Sequence, residues 1–300
     1  MKRGRLLIAL AVLAALAAAV YGGTLRYPFV FDDHHTVVDN QKIRDPANVL
    51  KFFVMSDMLD ERYLQIGLYR PVLFATYALN YLASGLDPAP WRLTNLALHV
   101  AGSLLLFLVL QRLCALRGRD PWPWSLLAAA AFAAHPVQSE AVVYNAARSA
   151  LLMAVFALAA VLLLLRHLAT GRGAWLAGST LAYVLAVFTK ETALPFAGVL
   201  VLLALAGARE HGSPVAGRWR LPAALFGSVA VGNAALRAAI IANAPQRYIF
   251  HSGTGAGDYL AHWATELAVL PRYLGLVVAP FGLSVDHAAP AGAGPALALG

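Results

Sequence analysis

Charge is what this sequence has least of. Only 13% of its 300 residues are Asp, Glu, Lys or Arg, against about 25% in a soluble globular domain. Hydrophobic residues make up 60%, and the mean hydropathy is +0.66. Such a chain has too little polar surface to cover a globule in water, which excludes a soluble fold and suits a bundle solvated by lipid. The single cysteine, Cys114, excludes an intrachain disulfide and leaves the redox compartment unread. There is no basic helix face and no basic patch interleaved with aromatics, so the net charge of +8 does not point to nucleic acid. No repeat of about 20–50 residues is present, which excludes a repeat array.

What the chain does have is long apolar runs of the length that crosses a bilayer, about 20 residues each. The first span is read at about 6–22. Later ones follow at about 93–110, from Pro121 to Ala134, Ser149–Leu165, about 174–188, about 192–206, about 221–241 and about 263–283. Basic residues sit in the short breaks. Lys2, Arg3, Arg5, Arg112, Arg117, Arg119, Arg166, Arg172, Arg209, Arg218 and Arg220 all fall on one side, accompanied there by Asp120 and Glu210. Because Lys and Arg in short loops stay cytoplasmic, the amino terminus is expected inside and the long segment 24–91 outside. The expected organisation is a signal-anchor helix at 1–23 and an extracytoplasmic loop at 24–91. The remaining spans occupy 92–283, and a tail at 284–300 reads as a cut rather than a domain end. The alternative for the first span is a cleaved signal peptide, with Ala17-Ala18-Ala19 as the small-residue site.

The outer segment is not plain linker. Asp45-Pro46 followed by Ala47–Met55 predicts a short helix with Val49, Leu50, Phe53 and Val54 on one face. Tyr69–Leu82, after Arg70-Pro71, predicts a second amphipathic helix on the membrane surface, with a re-entrant hairpin as the alternative.

Ionisable residues gather on the same outer side. Asp32 and Asp33 follow Phe29-Val30-Phe31, close after the first span; a carboxylate beside a second one there suits a general base, or is simply a solvated turn. His34 and His35 invite a metal, but no ligand spacing supports one, so no cofactor is assigned. Arg70 suits bidentate binding of a phosphate, or ordinary snorkelling to headgroups. His135, Glu140 and Arg148 occupy one outer turn, Lys190 and Glu191 another, and Arg237 lies within a span. Charge in such places is costly and normally faces a cavity or a partner. Cations and carboxylates meeting in one outer cavity would suit a lipid-phosphate substrate. Charge collected at one face also disfavours a transporter, whose polar residues lie near the midplane.

Taken in order, Phe29-Val30-Phe31-Asp32-Asp33, Tyr69-Arg70-Pro71 with Leu79-Asn80-Tyr81, and Asn95 to His99 resemble the transmembrane-and-tetratricopeptide protein O-mannosyltransferases. So do His135-Pro136-Val137-Gln138-Ser139-Glu140-Ala141-Val142, Arg148, Lys190-Glu191 and Pro280-Phe281-Gly282-Leu283-Ser284-Val285-Asp286-His287. The resemblance implies an all-α multi-pass membrane protein with the GT-C type of helical bundle and juxtamembrane helices in the first outer loop. It implies a polyprenyl-phosphate sugar donor and transfer of mannose to protein Ser or Thr, with an envelope glycan such as lipid A as the rival acceptor. Asp32, supported by Asp33, is then the catalytic base. Arg70, Lys190 and Arg237 bind the donor phosphate, and His135, Glu140, Arg148 and Glu191 orient donor or acceptor. The implied location is the cell (inner) membrane, with the active site outside. Gln138 departs from the His-Pro-Val-His pattern, and no tetratricopeptide repeats occur in these 300 residues, which leaves the acceptor open.

Overall fold

The computed structural model describes residues 3–54, 68–115, 120–210, 219–242 and 256–283. Lys2, Met55, Asp57, Asp60, Glu61, Arg117, Arg119, Arg218 and the tail 284–300 lie outside the described residues. Within them the secondary structure is helical, with no strand. The protein is an all-α multi-pass membrane protein.

Among the described residues ten α-helices are distinguished: α1 Arg3–Tyr21, α2 Pro71–Ser84, α3 Pro88–Ala115, α4 Trp122–Ala134, α5 Ser139–Val143, α6 Arg148–Thr170, α7 Gly173–Thr189, α8 Phe196–Glu210, α9 Arg220–Ala242 and α10 Ala256–Val278. Among the described residues, four stretches are long and apolar enough to cross a membrane: Arg3–Thr24, Pro88–Cys114, Asn145–Thr170 and Arg220–Ile240. A fifth consists of α4 followed by Pro136–Val143, bent by 51°. Pro136 explains the bend. It has no N–H to continue the ladder and drives His135 out of helical geometry, to φ −68° and ψ 127°.

The 17-residue α7 and the 15-residue α8 lie close to the spans expected at about 174–188 and about 192–206. At about 1.5 Å per residue they reach about 22–26 Å, less than a bilayer core of about 30 Å. The last helix begins earlier and ends earlier than expected, contains Pro271, and includes the apolar stretch Val269–Val278.

Each helix turns a narrow stripe inward. On α1 the buried residues are Ala9, Leu13, Ala17 and Tyr21, one per turn, while Leu7, Ile8, Leu10 and Val20 face outward. The alanines let α1 approach closely, and it packs on α3 and α4 through Phe107, Ala129 and Ala133. α6 and α7 form the broadest contact of the bundle, with α8 and α9 added beside them.

The polar stripe of α3 is unlike the others. Arg92, Asn95, His99 and Ser103 recur at helical spacing, and all four are buried. Polar groups at that depth belong against partners rather than lipid.

Two ends of the bundle differ. At one, Arg5 pairs with Asp120 at 3.0 Å and lies over the Trp122 ring, while Arg166 lies over Trp175. The other end holds the segment 24–54, α2, α5 and the Lys190 turn. There α2 does not lie free on the surface. Its inward face, Leu73, Phe74 and Tyr77, joins Val37, Ile43, Phe52 and Trp91 in one core, leaving Leu79 and Leu82 outward.

The expected helix after Pro46 is instead two 3₁₀ turns, Pro46–Asn48 and Lys51–Phe53. Asp45 caps the first turn by accepting from Ala47 N at 2.9 Å. Short i→i+3 turns point Phe52 inward and leave Leu50 and Val54 exposed, so of the predicted apolar face only Val49 and Phe53 pack against the core.

Gly171 ends α6 at φ +70°, donating its N–H to His167 O at 2.7 Å. Gly171→Ala should destabilise the protein by about 1–2 kcal/mol, measured as a lowered midpoint of thermal unfolding in detergent.

Candidate active site

The site is built on a buried chain of hydrogen bonds. Arg148, at the first turn of α6, is fully buried. Its Nε donates to Asn95 Oδ1 and its Nη1 to Asn80 Oδ1, each at 2.7 Å, and its Nη2 donates to Trp91 O at 3.1 Å. Its guanidinium also lies over the rings of Tyr77 and Trp91, at 5.1 and 5.2 Å. Asn95 donates to Asn145 Oδ1 at 3.3 Å, and Asn145 donates to Asp33 Oδ2 at 3.3 Å. One continuous path thus joins α2, α3, the start of α6 and the loop of the acidic pair.

The two aspartates differ sharply. Asp33 is buried and accepts from Ala146 N at 2.8 Å and Val30 N at 3.4 Å. Burial pushes its pKa above the usual aspartate range, opposed by these hydrogen bonds, the Asn145 amide and the charge of Arg92. Asp33 is an anchor for the loop. Asp32 keeps 63% of its side chain exposed. Its backbone N donates to Tyr144 Oη at 2.9 Å, and its Oδ1 lies 3.9 Å from His35 Nε2. Phe31, immediately before, has φ +47°, a left-handed conformation that is strained for an aromatic residue. Arg92 braces the same loop from α3, donating to Tyr27 O, to Pro28 O at 2.7 Å and to Val143 O at 3.0 Å.

Asp32 opens on a cavity of about 430 Å³ whose polar walls include Asp32, His35, Arg70, Glu140, Tyr144 and Lys190. Arg70 stands just before α2, where Pro71 occupies the first helical position. It forms a bidentate pair with Glu191, Nη2–Oε1 at 2.6 Å and Nε–Oε2 at 3.1 Å. Behind it, Arg237 Nη1 lies 3.9 Å from Glu191 Oε2, and its Nε donates to Asn233 Oδ1 at 2.9 Å. Burial raises the Glu191 pKa, but the hydrogen bonds and charge of Arg70 outweigh it and hold the group below the usual range. Lys190 is extended, at φ −152° and ψ 136°, which turns it into the cavity while Glu191 faces the arginines. Burial, then the neighbouring charge of Arg70, lowers its pKa. Lys190, Arg70 and Arg237 around the one carboxylate of Glu191 leave a surplus of positive charge at this wall.

The structure therefore brings Asp32, Arg70, Glu140 and Lys190 to one cavity, with Glu191 and Arg237 behind Arg70. Asp33 and Arg148 lie beneath it and do not line it. His135 is turned elsewhere: its Nδ1 accepts from Val137 N at 3.2 Å and its Nε2 donates to Val277 O at 3.0 Å. Among the described residues no group of three His, Cys, Asp or Glu side chains is placed to hold a metal. Sequence reasoning missed Arg92 and Tyr144. The signal for Arg92 was available as the polar stripe Arg92, Asn95, His99 and Ser103, whereas nothing local distinguishes Tyr144.

The chain is 34% identical over 193 residues to the protein O-mannosyl-transferase Tmtc1 of Drosophila melanogaster, covering 63% of this chain and 22% of that protein. It is 35% identical over 156 residues to the protein O-mannosyl-transferase TMTC3 of Mus musculus, covering 50% of this chain and 16% of that protein. The chain is TMTC-like. A third relative, the protein O-mannosyl-transferase TMTC2 of Homo sapiens, is 29% identical over 194 residues, covering 62% of this chain and 22% of that protein. The TMTC-like chain thus spans about a fifth of the length of the curated relatives it matches. No family model and no solved structure matches it.

Arg148→Met in this TMTC-like chain should cost about 1–3 kcal/mol for each buried acceptor it strands. Arg148→Lys should not restore the loss, because an ammonium cannot reproduce the planar fork. The measurement is the yield and melting midpoint of detergent-extracted protein.

Proposed function

We propose that this chain is an inverting glycosyltransferase of the GT-C type, moving mannose from a polyprenyl-phosphate donor to a Ser or Thr hydroxyl of a protein. The reaction takes place on the extracytoplasmic face of the cell membrane. One observation carries the reading: an exposed carboxylate, Asp32, and the cations Arg70 and Lys190 line the same cavity at one end of the bundle. Relatives named protein O-mannosyl-transferases support the sugar and the acceptor. The basic residues at the opposite end support the orientation, since Lys and Arg in short loops stay in the cytoplasm.

In this mechanism Asp32 removes the proton of the acceptor hydroxyl as its oxygen attacks the anomeric carbon. The bond from that carbon to the phosphate oxygen breaks, and polyprenyl phosphate leaves with the electron pair. Arg70, held in place by Glu191, and Lys190 stabilise the charge that develops on the leaving phosphate. Arg237 keeps Glu191 from neutralising Arg70 completely. A single displacement inverts the anomeric centre. Glu140, across the cavity, orients the acceptor. Asp33 and Arg148 act through position, by fixing the loop and the helix that frame the base.

Asp32→Asn should lower transfer from a polyprenyl-phosphate mannose by about 10²–10⁴-fold while the protein still inserts; full activity in that variant contradicts the assignment. The lowered pKa of Lys190 sets a pH dependence. Its charge is present below that pKa and lost as pH rises through it, so transfer should decline on the alkaline side before the ordinary lysine value of 10.5. Lys190→Arg should move that decline to higher pH, read from a rate profile against pH.

A further inference from the structure

A second cavity, of about 450 Å³, adjoins the first. Its size falls within the range of about 300–1,000 Å³ typical of ligand pockets. It shares Val137, Glu140 and Tyr144 with the polar cavity, but Arg70 and Lys190 are absent from its walls, which are mainly apolar and aromatic. Phe31, Tyr273, Leu276 and Leu283 form its apolar side. The partition between the two cavities is Tyr144: its hydroxyl accepts from Asp32 N, and its ring meets the edge of Phe31 at 6.5 Å. The left-handed backbone at Phe31 places consecutive side chains in different cavities, Phe31 in the apolar one and Asp32 in the polar one. Phe31 remains 66% exposed among the described residues, so the strain holds out an aromatic surface to the groove.

We infer that this groove is an acceptor subsite, taking a large apolar or aromatic side chain within two residues of the Ser or Thr that receives the sugar. The inference rests on the transferase reading and names its acceptor more closely. The groove opens beside the base, not beside the cations. A hydroxyl presented to Asp32 therefore sits at its mouth, and a neighbouring side chain of an extended peptide reaches in, since successive residues advance about 3.3 Å. The lipid of a donor is placed differently. With its phosphate at Arg70 and Lys190, a polyprenyl chain would have to cross the position of the acceptor to enter. It would also meet the carboxylate of Glu140, which hydrocarbon solvates poorly and a peptide N–H suits well.

The test uses the full chain in lipid nanodiscs, a polyprenyl-phosphate mannose donor, and extended peptides with one threonine flanked by either Leu and Phe or Gly and Ser. The wild type should transfer to the apolar-flanked peptide with a kcat/KM about tenfold or more above the other. Leu283→Trp, which fills the groove, and Tyr273→Ala, which removes a wall, should erase that preference through acceptor KM. Transfer to the Gly-flanked peptide should be retained, which also shows that both variants are folded. Equal use of both peptides by the wild type overturns the subsite and leaves the transferase standing. A rise in donor KM in Leu283→Trp assigns the groove to the lipid and also overturns it. No transfer to any peptide removes the transferase reading, and the subsite with it.

Discussion

A fully buried guanidinium is the constraint on which the Asp32 end of the bundle depends. Arg148 sits at the foot of a membrane-spanning helix with no carboxylate in contact among the described residues, and a cation there is costly unless every N–H is used. Two asparagine oxygens, one carbonyl and two aromatic faces supply what it needs. These partners come from α2 and α3, so satisfying one charge locks three helices in register. The chain continues through Asn145 to Asp33, which carries the same constraint to the loop that presents Asp32. A partly satisfied network would be worse than an apolar core, so the site is either assembled as a unit or not at all.

Consecutive residues divide structural and chemical tasks throughout the site. Asp33 is spent on backbone amides while Asp32 faces the cavity. Glu191 is spent on Arg70 while Lys190 faces the cavity. Phe31 is turned away from both acids by its left-handed backbone. The outcome is a cavity with a carboxylate at one wall and an excess of cations at another, the arrangement required by a reaction that removes a proton at one atom and releases an anion at the next. The aromatic groove beside Asp32 extends that cavity on the side away from the cations.

Much of the fold was legible in hydropathy alone. The apolar runs correspond to the helices in order, and Pro136 marks the place where one of them is bent. Bounds were less legible at the last helix, where the apolar run of about 263–283 is the helix Ala256–Val278. The segment after Pro46 was misread because its apolar spacing fits a helix, while local capping by Asp45 and packing of Phe52 select 3₁₀ turns. Within the site, residue types pointed to Asp32, Arg70, Glu140 and Lys190, yet spacing could not separate Asp32 from Asp33. That distinction depends on Asn145 and Ala146, more than a hundred residues away. Arg148 read as a residue of the outer turn for the same reason: its burial is a property of three helices meeting, not of its neighbours in sequence.

The most direct measurement is a structure of the protein in lipid nanodiscs with a non-hydrolysable polyprenyl-phosphate mannose analogue. The account predicts phosphate density against Arg70 and Lys190 with the sugar's anomeric carbon facing Asp32. Phosphate bound outside this cavity, with Asp32 far from the sugar, contradicts it.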